Sequence, residues 1–152
     1  MSIIGDLIRR FTERRAGGQT VEQLIERLVE SGQVVAERLA RAADTPGNCE
    51  AAAHIIGIER WSARRLRTAL GDVAVRDEYD GYRPATSLTM AELAEAFAAA
   101  REQTTALAQQ TANLPPSVTA HHNDLGDLSV KGWLFYIENH ALRESIRIRG
   151  EK

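Results

Sequence analysis

Several residue types are scarce in this sequence, and each shortage excludes a class of protein. Cys49 is the only cysteine, so no internal disulfide can form, as is usual in a reducing cytoplasm. No apolar run approaches the roughly 18 residues that a membrane-spanning helix needs. Lysine occurs only at positions 131 and 152, and the formal net charge of −2 argues against a dedicated nucleic-acid-binding protein. These shortages predict a cytoplasmic protein without a membrane or nucleic-acid partner.

The residues that are abundant favour a single helical domain. With 43% hydrophobic and 26% charged residues, the chain can bury a core, and we predict one globular domain over 1–152. Aromatic residues make up only 5%, whereas alanine, leucine, glutamate and arginine are frequent, which favours helix. Segment 1–16 has apolar residues at helical spacing and lacks the features of a secretory signal. Its basic amphipathic pattern is compatible with a membrane surface. We interpret it as a short extra helix packed on the domain or on a second subunit.

Two long helices are predicted in the first half of the chain. The first opens at Thr20, where Gln23 completes a capping box, and it ends at the sequence DTPG of residues 44–47. The second begins near Asn48 and runs to about Leu70. Both carry apolar residues three or four positions apart, which is the pattern of a helix buried on one side.

Two further long helices are predicted in the second half. The third begins at Thr89, where Glu92 completes a capping box, and the proline pair at 115–116 ends it. The fourth lies within 126–148 and is capped by Asp127 or Ser129. No segment has the alternation typical of a strand, and the connection 72–88 is too long for a tight helical hairpin. We therefore predict an all-α four-helix bundle with at least one crossover, plus the short N-terminal helix.

The fourth predicted helix places two polar side chains on or beside its apolar face. At about 100° per residue, Glu144 falls near the middle of the face that carries Trp133, Leu134 and Ile137. His140 falls at the margin of the same face. Because an unpaired carboxylate is costly to bury, Glu144 requires a partner: a cation, a metal ion or a buried hydrogen-bond donor.

A metal ion is one such partner. His140 and Glu144 are spaced i, i+4, so both side chains can reach one ion. His54 lies at the edge of the apolar face of the second helix and could meet them across the bundle. These three ligands would leave open positions on a catalytic zinc, iron or nickel ion. In the alternative, the histidines are hydrogen-bonded core residues and Glu144 pairs with an arginine. Candidates for that arginine are Arg65, Arg143 and Arg147.

Other polar residues on or near these helices have structural interpretations, each with a functional alternative. We expect Glu59 to form a buried ion pair with an arginine of the first or fourth helix. Glu50 complements the helix dipole, or it is a fourth metal ligand. His121 and His122 are solvated loop residues, or one of them lies at the mouth of the site. Cys49 is a small packing residue, or a reactive thiol at a helix start.

The large aromatic and basic residues of the second and fourth helices are also interpreted as structural. Trp61 and Trp133 are expected in the core or at an interface. Arg64, Arg65 and Arg67 are expected on a solvated face; the functional alternative, binding of a phosphate or a thiol carboxylate, has no further support in the sequence.

Three motifs together resemble the DinB-like family of damage-inducible helical bundles. They are AAAHIIGIERWSARRL at 51–66, TSLTMAELAEAFAAAREQTTAL at 86–107 and HNDLGDLSVKGWLFYIENHALRESIRI at 122–148. His54 stands where the family has a metal-binding histidine on its second helix. His140 stands where the family has the first of two histidines four residues apart. Glu144 replaces the second of that pair, so a metal site would have an altered preference or would be lost.

The resemblance implies an architecture and a class of activity. Members are bundles with a long crossover between helices two and three, and they are often dimers. Members with known activity use a bound metal to activate a low-molecular-weight thiol for transfer to an electrophile, or for a related isomerisation. For this chain the resemblance implies zinc, nickel, iron or manganese at His54, His140 and Glu144, a small-molecule substrate and a homodimer.

Three functional hypotheses follow from the sequence. In the first, the protein is a metal-dependent thiol transferase or hydrolase with the three residues as ligands. In the second, it is a non-enzymatic, stress-related binding protein that keeps the bundle and has lost the ion. The presence of Glu144 where the family has a histidine favours this second hypothesis. In the third, it is a structural dimer module with the N-terminal helix as its interface.

Overall fold

The computed structural model describes residues 2–85 and 87–150, and this part of the chain is predominantly helical. Its elements are α1 (Ile3–Gly17), α2 (Val21–Arg41), α3 (Pro46–Ala69), a short 3-10 helix (Tyr79–Tyr82), α4 (Met90–Gln110), β1 (Thr119–His122), β2 (Gly126–Ser129) and α5 (Val130–Ser145). Residues 1, 86, 151 and 152, which belong to the predicted domain, lie outside the described residues. None of the described helices is long and apolar enough to cross a membrane.

Local capping signals explain where the helices begin. The Thr20 and Thr89 side chains each accept a hydrogen bond from the backbone N–H of the residue three positions on. In return, the Gln23 and Glu92 side chains accept from the backbone N–H groups of the two threonines. Both predicted capping boxes are therefore confirmed. Ser129 caps α5 by accepting a hydrogen bond from the Gly132 N–H, which settles the choice between the two predicted caps.

The expectation that the chain contains no strand is wrong. β1 and β2 form an antiparallel hairpin in which Ala120 pairs with Leu128 and His122 with Gly126. Gly126 has a φ of 79°, a left-handed conformation that favours glycine. The indole Nε1 of Trp133 donates to the Ala120 carbonyl at 2.9 Å, so the hairpin is fixed to α5 as well as to itself.

The long helices pack so that α2 and α3 each contact both α4 and α5, while α1 packs on α5 and β2. The Cys49 Sγ lies 3.6 Å from the Leu88 carbonyl, just before α4, and Glu59 pairs with Arg101 further along both helices. Because residues of α3 and α4 meet in the same order, the two helices run in the same direction.

The direction of α5 follows from its aromatic contacts with α3. The His54 ring meets His140, and the Trp61 ring meets Trp133, at centroid distances of 5.2 and 5.6 Å. The contacts run in opposite order along the two helices, so α3 and α5 are antiparallel. The facing sides of this pair bring together the residues that sequence reasoning selected for a site.

Candidate functional site

The two histidines predicted as metal ligands lie next to each other between α3 and α5. Their ring centroids are 5.2 Å apart, with 53° between the ring planes. His140 is buried and His54 is half-buried. Within residues 2–85 and 87–150, no group hydrogen-bonds to a ring nitrogen of either histidine. Two imidazoles that have no hydrogen-bond partner among the described residues therefore lie side by side.

Burial keeps both imidazoles neutral at neutral pH. It lowers the pKa of His140 to about 3, and the neighbouring His54 ring adds to this shift. Burial also lowers the pKa of His54, an effect that the nearby Glu144 carboxylate opposes and Arg83 reinforces. A neutral imidazole has one nitrogen with a free lone pair, which is the form that binds a metal ion.

Glu144, the predicted third ligand, lies close to this pair but is engaged with arginines. Its carboxylate oxygens lie 3.2 Å from Arg147 Nη1 and 3.5 Å from Arg143 Nε, and its side chain is 13% exposed. In the described residues, no three histidine, cysteine, aspartate or glutamate side chains are placed so that they could hold one metal ion. The structure thus brings His54 and His140 together and leaves Glu144 in ion pairs beside them.

Two tyrosines flank the histidine pair, and sequence reasoning did not single them out. The Tyr79 ring packs edge-on against His54 at 5.3 Å, and the Tyr136 ring lies 5.8 Å from His140. Burial raises the pKa of Tyr136 well above its usual value, so its hydroxyl stays protonated. The i, i+4 spacing of Tyr136 and His140 was visible in the sequence, whereas the approach of Tyr79 depends on the 3-10 helix.

The prediction that His122 is a solvated loop residue is wrong. His122 ends β1, is only 5% exposed and contacts Trp61, Trp133 and Tyr136 with ring centroids 5.0, 5.3 and 4.7 Å away. Burial lowers its pKa to about 4. The neighbouring His121 follows the prediction better, because its side chain is one-third exposed and its Nδ1 lies 3.0 Å from Asp127.

The hydrogen bonds of His122 fix its tautomer and exclude it as a metal ligand in this conformation. Its Nδ1 accepts from the backbone N–H groups of Asp124 and Leu125 at 3.1 and 3.3 Å. The proton of the neutral ring is therefore on Nε2, which is buried and has no hydrogen-bond partner among the described residues. With one nitrogen accepting and the other protonated, no lone pair is left for an ion.

Two predictions for charged residues of α3 need correction. Glu59 does form a buried ion pair, but its partner is Arg101 of α4, at 2.6 Å, and not an arginine of α2 or α5. Arg65 is not on a solvated face: it is 2% exposed, stacks over Trp61 and binds Asp77 at 2.5 Å. The Asp77 partner comes from the long connection after α3, which helix periodicity does not take into account.

Glu50, Cys49 and the two tryptophans have structural surroundings. The Glu50 carboxylate lies 2.8 Å from Arg83. Cys49 is buried in the core cluster around Phe97, as expected of a packing residue. Trp61 and Trp133 are 2% and 0% exposed, so their predicted place in the core is confirmed.

Searches against protein-family models, curated proteins and solved structures each find no match for this chain. The resemblance to the DinB-like family is therefore supported by the positions of the sequence motifs alone. The geometry around His54 and His140 is independent of that resemblance.

Proposed function

We propose that this protein is a metal-dependent enzyme of the DinB-like type that acts on a small molecule. The divalent ion would be held between α3 and α5 by His54, His140 and Glu144. The observation that carries the proposal is the pair of neutral imidazoles from two helices, whose ring nitrogens have no protein partner in the described residues. The single cysteine suits the reducing cytoplasm, where we propose that the protein acts.

We also propose the complete architecture, a four-helix bundle of α2 to α5 with a long crossover between α3 and α4. The common direction of these two helices supports it. After α3 ends at Ala69, the chain has to return to the level of Cys49 before α4 begins. The described residues of this connection, 70–85 and 87–89, would provide this return, and they also place Tyr79 beside His54.

The donor set suits a divalent transition ion in its chemistry. Imidazole nitrogen favours zinc, nickel or iron, and a carboxylate oxygen is compatible with these and with manganese. To complete the set of ligands, the Glu144 carboxylate would have to leave its ion pair with Arg147 and bind the ion. Because the Arg147 side chain is 75% exposed, its guanidinium can return to water and little stability is lost.

A divalent ion at this place would lower the pKa of a bound thiol or water and so supply a nucleophile at neutral pH. His54, His140 and Glu144 have the role of ligands. Tyr79 and Tyr136 pack against the histidine pair and would border the space around the ion. The proposed substrates are a low-molecular-weight thiol and an electrophilic small molecule.

One observation favours a second candidate, a non-enzymatic, stress-related binding protein with a degenerate site. Glu144 already has two cationic neighbours, Arg143 and Arg147, in the place where a third ligand would be needed. Over the described residues, no ready-made group of three ligands is present. In this candidate the arginines replace the ion as partners of the carboxylate.

Metal titration distinguishes the two candidates. We expect the protein purified without chelator to contain one of the four metals in stoichiometric amount. After metal removal, adding that metal at one hundred times its Kd should stabilise the fold by about 2.7 kcal/mol, seen as a higher Tm. The variant His140→Ala should lose the response, and His121→Ala, which removes a partly exposed histidine outside the pair, should keep it. No bound metal and no change in Tm would favour the binding protein.

The exchange Glu144→His sharpens this assignment. If residue 144 is a ligand, an imidazole should preserve or raise the metal affinity, because nitrogen is a stronger donor for zinc and nickel. The measurement is competition with a chromogenic chelator, with His121→Ala again as control. A lower affinity than that of the unmodified protein would contradict the role given to Glu144.

A further inference from the structure

The large apolar side chains of α1 are exposed to solvent. The helix packs on α5 and β2 through the small residues Gly5, Thr12 and Ala16. Its large apolar side chains are between 46% and 91% exposed, and we call them the α1 stripe: Ile3, Ile4, Leu7, Ile8 and Phe11. A monomer seldom leaves so many large apolar residues together in water, which marks the stripe as an interaction surface.

Positive charge borders the α1 stripe. At about 100° per residue, Arg10 lies at one edge, where it pairs with Asp6 at 3.0 Å, and Arg14 and Arg15 continue the stripe at its C-terminal end. The Arg15 guanidinium lies 5.9 Å from the centre of the Phe11 ring. The acidic residues of α1 lie on its other side, where Glu13 binds the Ser129 N–H and hydroxyl at 2.7 Å. A partner for the stripe should therefore be apolar at its centre and acidic at its edges.

A surface of that description lies on the same chain, in the groove between α2 and α4. The groove has a volume of about 480 Å³ and a floor of small or apolar residues: Val29, Gly32, Ala36, Ala98 and Ala106. A Cβ at position 32 would come within 2.7 Å of Arg101 Cγ, so glycine is required for the Arg101 side chain to cross under the groove. Arg101 is itself buried and paired with Glu59, so it adds little positive charge to the surface.

The edges of the α2–α4 groove are acidic. Glu102 lines it directly. By helical position, Glu26 borders it on α2 and Glu95 borders it on α4, and both are exposed. Glu92 caps the start of α4, and residues 103–110 carry no charge, so the acidic groups at the groove lie along the first two thirds of the helix.

We infer that the α1 stripe of one molecule docks into the α2–α4 groove of a second copy. The stripe alone would also fit an anionic lipid surface. The groove favours a second copy as the partner. Its apolar floor is complementary to the apolar stripe, and its acidic edges are complementary to the arginines beside the stripe. Each molecule carries both surfaces, and two such contacts related by a two-fold axis would close a dimer. The contact involves neither His54 nor His140, and it stands or fails independently of the metal site.

Two variants of the full chain test the contact. Leu7→Glu places a charge in the α1 stripe, and Ala98→Arg fills the groove with a positive side chain; both positions are exposed, and both new residues favour helix. We expect the unmodified protein to self-associate in analytical ultracentrifugation, and each variant to raise the Kd at least about thirtyfold. Val73→Glu, at an 82% exposed position outside both surfaces, is the matched control and should associate normally.

Mixing the two variants makes the test specific. Leu7→Glu keeps an intact groove and Ala98→Arg keeps an intact stripe, so their mixture should form a one-to-one heterodimer more tightly than either variant associates with itself. Circular dichroism of each variant checks that its helices are intact. Association of Ala98→Arg at unmodified strength would overturn the inference, because stripes would then pair with each other.

Two further results would also overturn the inference. One is an unmodified protein that stays monomeric at every concentration reached. The other is a monomer that binds vesicles containing phosphatidylserine and loses this binding in Leu7→Glu, because the stripe would then be a membrane anchor. Since the metal titration does not depend on Leu7 or Ala98, failure here leaves the proposed metal site untouched.

Discussion

Two clusters of polar side chains lie among the helices, and they differ in how completely their hydrogen bonds are satisfied. In the first, Arg101 donates to both carboxylate oxygens of Glu59 at 2.6 and 3.0 Å, to the Leu28 carbonyl at 2.8 Å and to Ser31 at 2.9 Å. In the second, the imidazoles of His54 and His140 contact each other and two tyrosines, and no described residue hydrogen-bonds to them.

The difference shows which polar cluster serves structure and which is available for chemistry. In the first cluster both Glu59 carboxylate oxygens and four of the five Arg101 N–H groups are already hydrogen-bonded, so a further ligand would have to displace bonds that stabilise the fold. The imidazoles of His54 and His140 receive no hydrogen bond from the described residues, so their ring nitrogens remain available to a ligand. Of the two clusters, the histidine pair is therefore the one whose side chains could bind a ligand without giving up a protein hydrogen bond.

The largest expected effect comes from breaking the satisfied cluster. Arg101→Met leaves the Glu59 carboxylate buried without a partner, so we expect the free energy of unfolding to fall by about 3–5 kcal/mol. Urea unfolding followed by circular dichroism measures the change. Arg41→Ala is the control, because the Arg41–Glu37 pair is 3.9 Å long, about 70% exposed on both sides, and should contribute less than about 1 kcal/mol.

The double variant Glu59→Leu with Arg101→Met completes this test. It removes both charges, so it should recover most of the stability lost in the single variant. Equal losses in the single and double variants would show that the pair matters through packing, including the contact of Arg101 with Phe97, and not through its charges.

A smaller effect is expected from the unsatisfied His122, and it depends on pH. In the unfolded chain a histidine binds a proton below its ordinary pKa of about 6.5, whereas burial lowers the pKa of folded His122 to about 4. Stability is therefore fully present above about pH 6.5 and is lost as the pH falls towards 4. From pH 7 to pH 5 this ring should account for a loss of roughly 2 kcal/mol.

The variant His122→Asn isolates that contribution. Its amide oxygen can still accept from the N–H groups of Asp124 and Leu125, but it does not titrate. Urea unfolding at pH 7 and pH 5 should show a loss of stability roughly 2 kcal/mol smaller than in the unmodified protein, in which His54 and His140 contribute in the same direction. An identical pH dependence would mean that folded His122 binds protons as readily as the unfolded chain does.

How far the fold could be predicted depends on how local the determining contacts are. The starts of α2 and α4 follow from side chains three residues apart, Thr20 with Gln23 and Thr89 with Glu92, so the sequence alone was sufficient. The hairpin was missed because each strand has four residues and is held by Leu128 in the core and by the bond from Trp133 to Ala120. Such contacts join distant positions and leave no periodic pattern in the chain.

The site shows the same limit. The approach of His54 to His140 was anticipated because both lie at the margins of apolar helix faces, and helical geometry fixes such faces. The burial of His122 and Arg65 was not anticipated, because each depends on a partner outside its own helix or loop. For Arg65 the partner is Asp77 in the connection after α3, and for His122 it is the pair of tryptophans.

The smallest expected effect on stability concerns Glu144, which is ion-paired like the first cluster but lies beside the histidines of the second. Like Glu59, Glu144 is an acid beside a helical core, but its partners Arg143 and Arg147 are 63% and 75% exposed. Ion pairs with exposed arginines contribute little, so Glu144→Gln should lower the free energy of unfolding of the metal-free protein by less than about 1 kcal/mol.

If Glu144 is a ligand, the same change should weaken metal binding at least tenfold, because an amide is a poorer donor than a carboxylate. Changes around metal sites commonly weaken metal binding by this amount. Urea unfolding and chelator competition on one preparation give both quantities. A loss near that expected for Arg101→Met, with metal affinity unchanged, would place Glu144 with Glu59 as a structural ion-pair residue, because only a carboxylate that the fold itself requires would behave in that way.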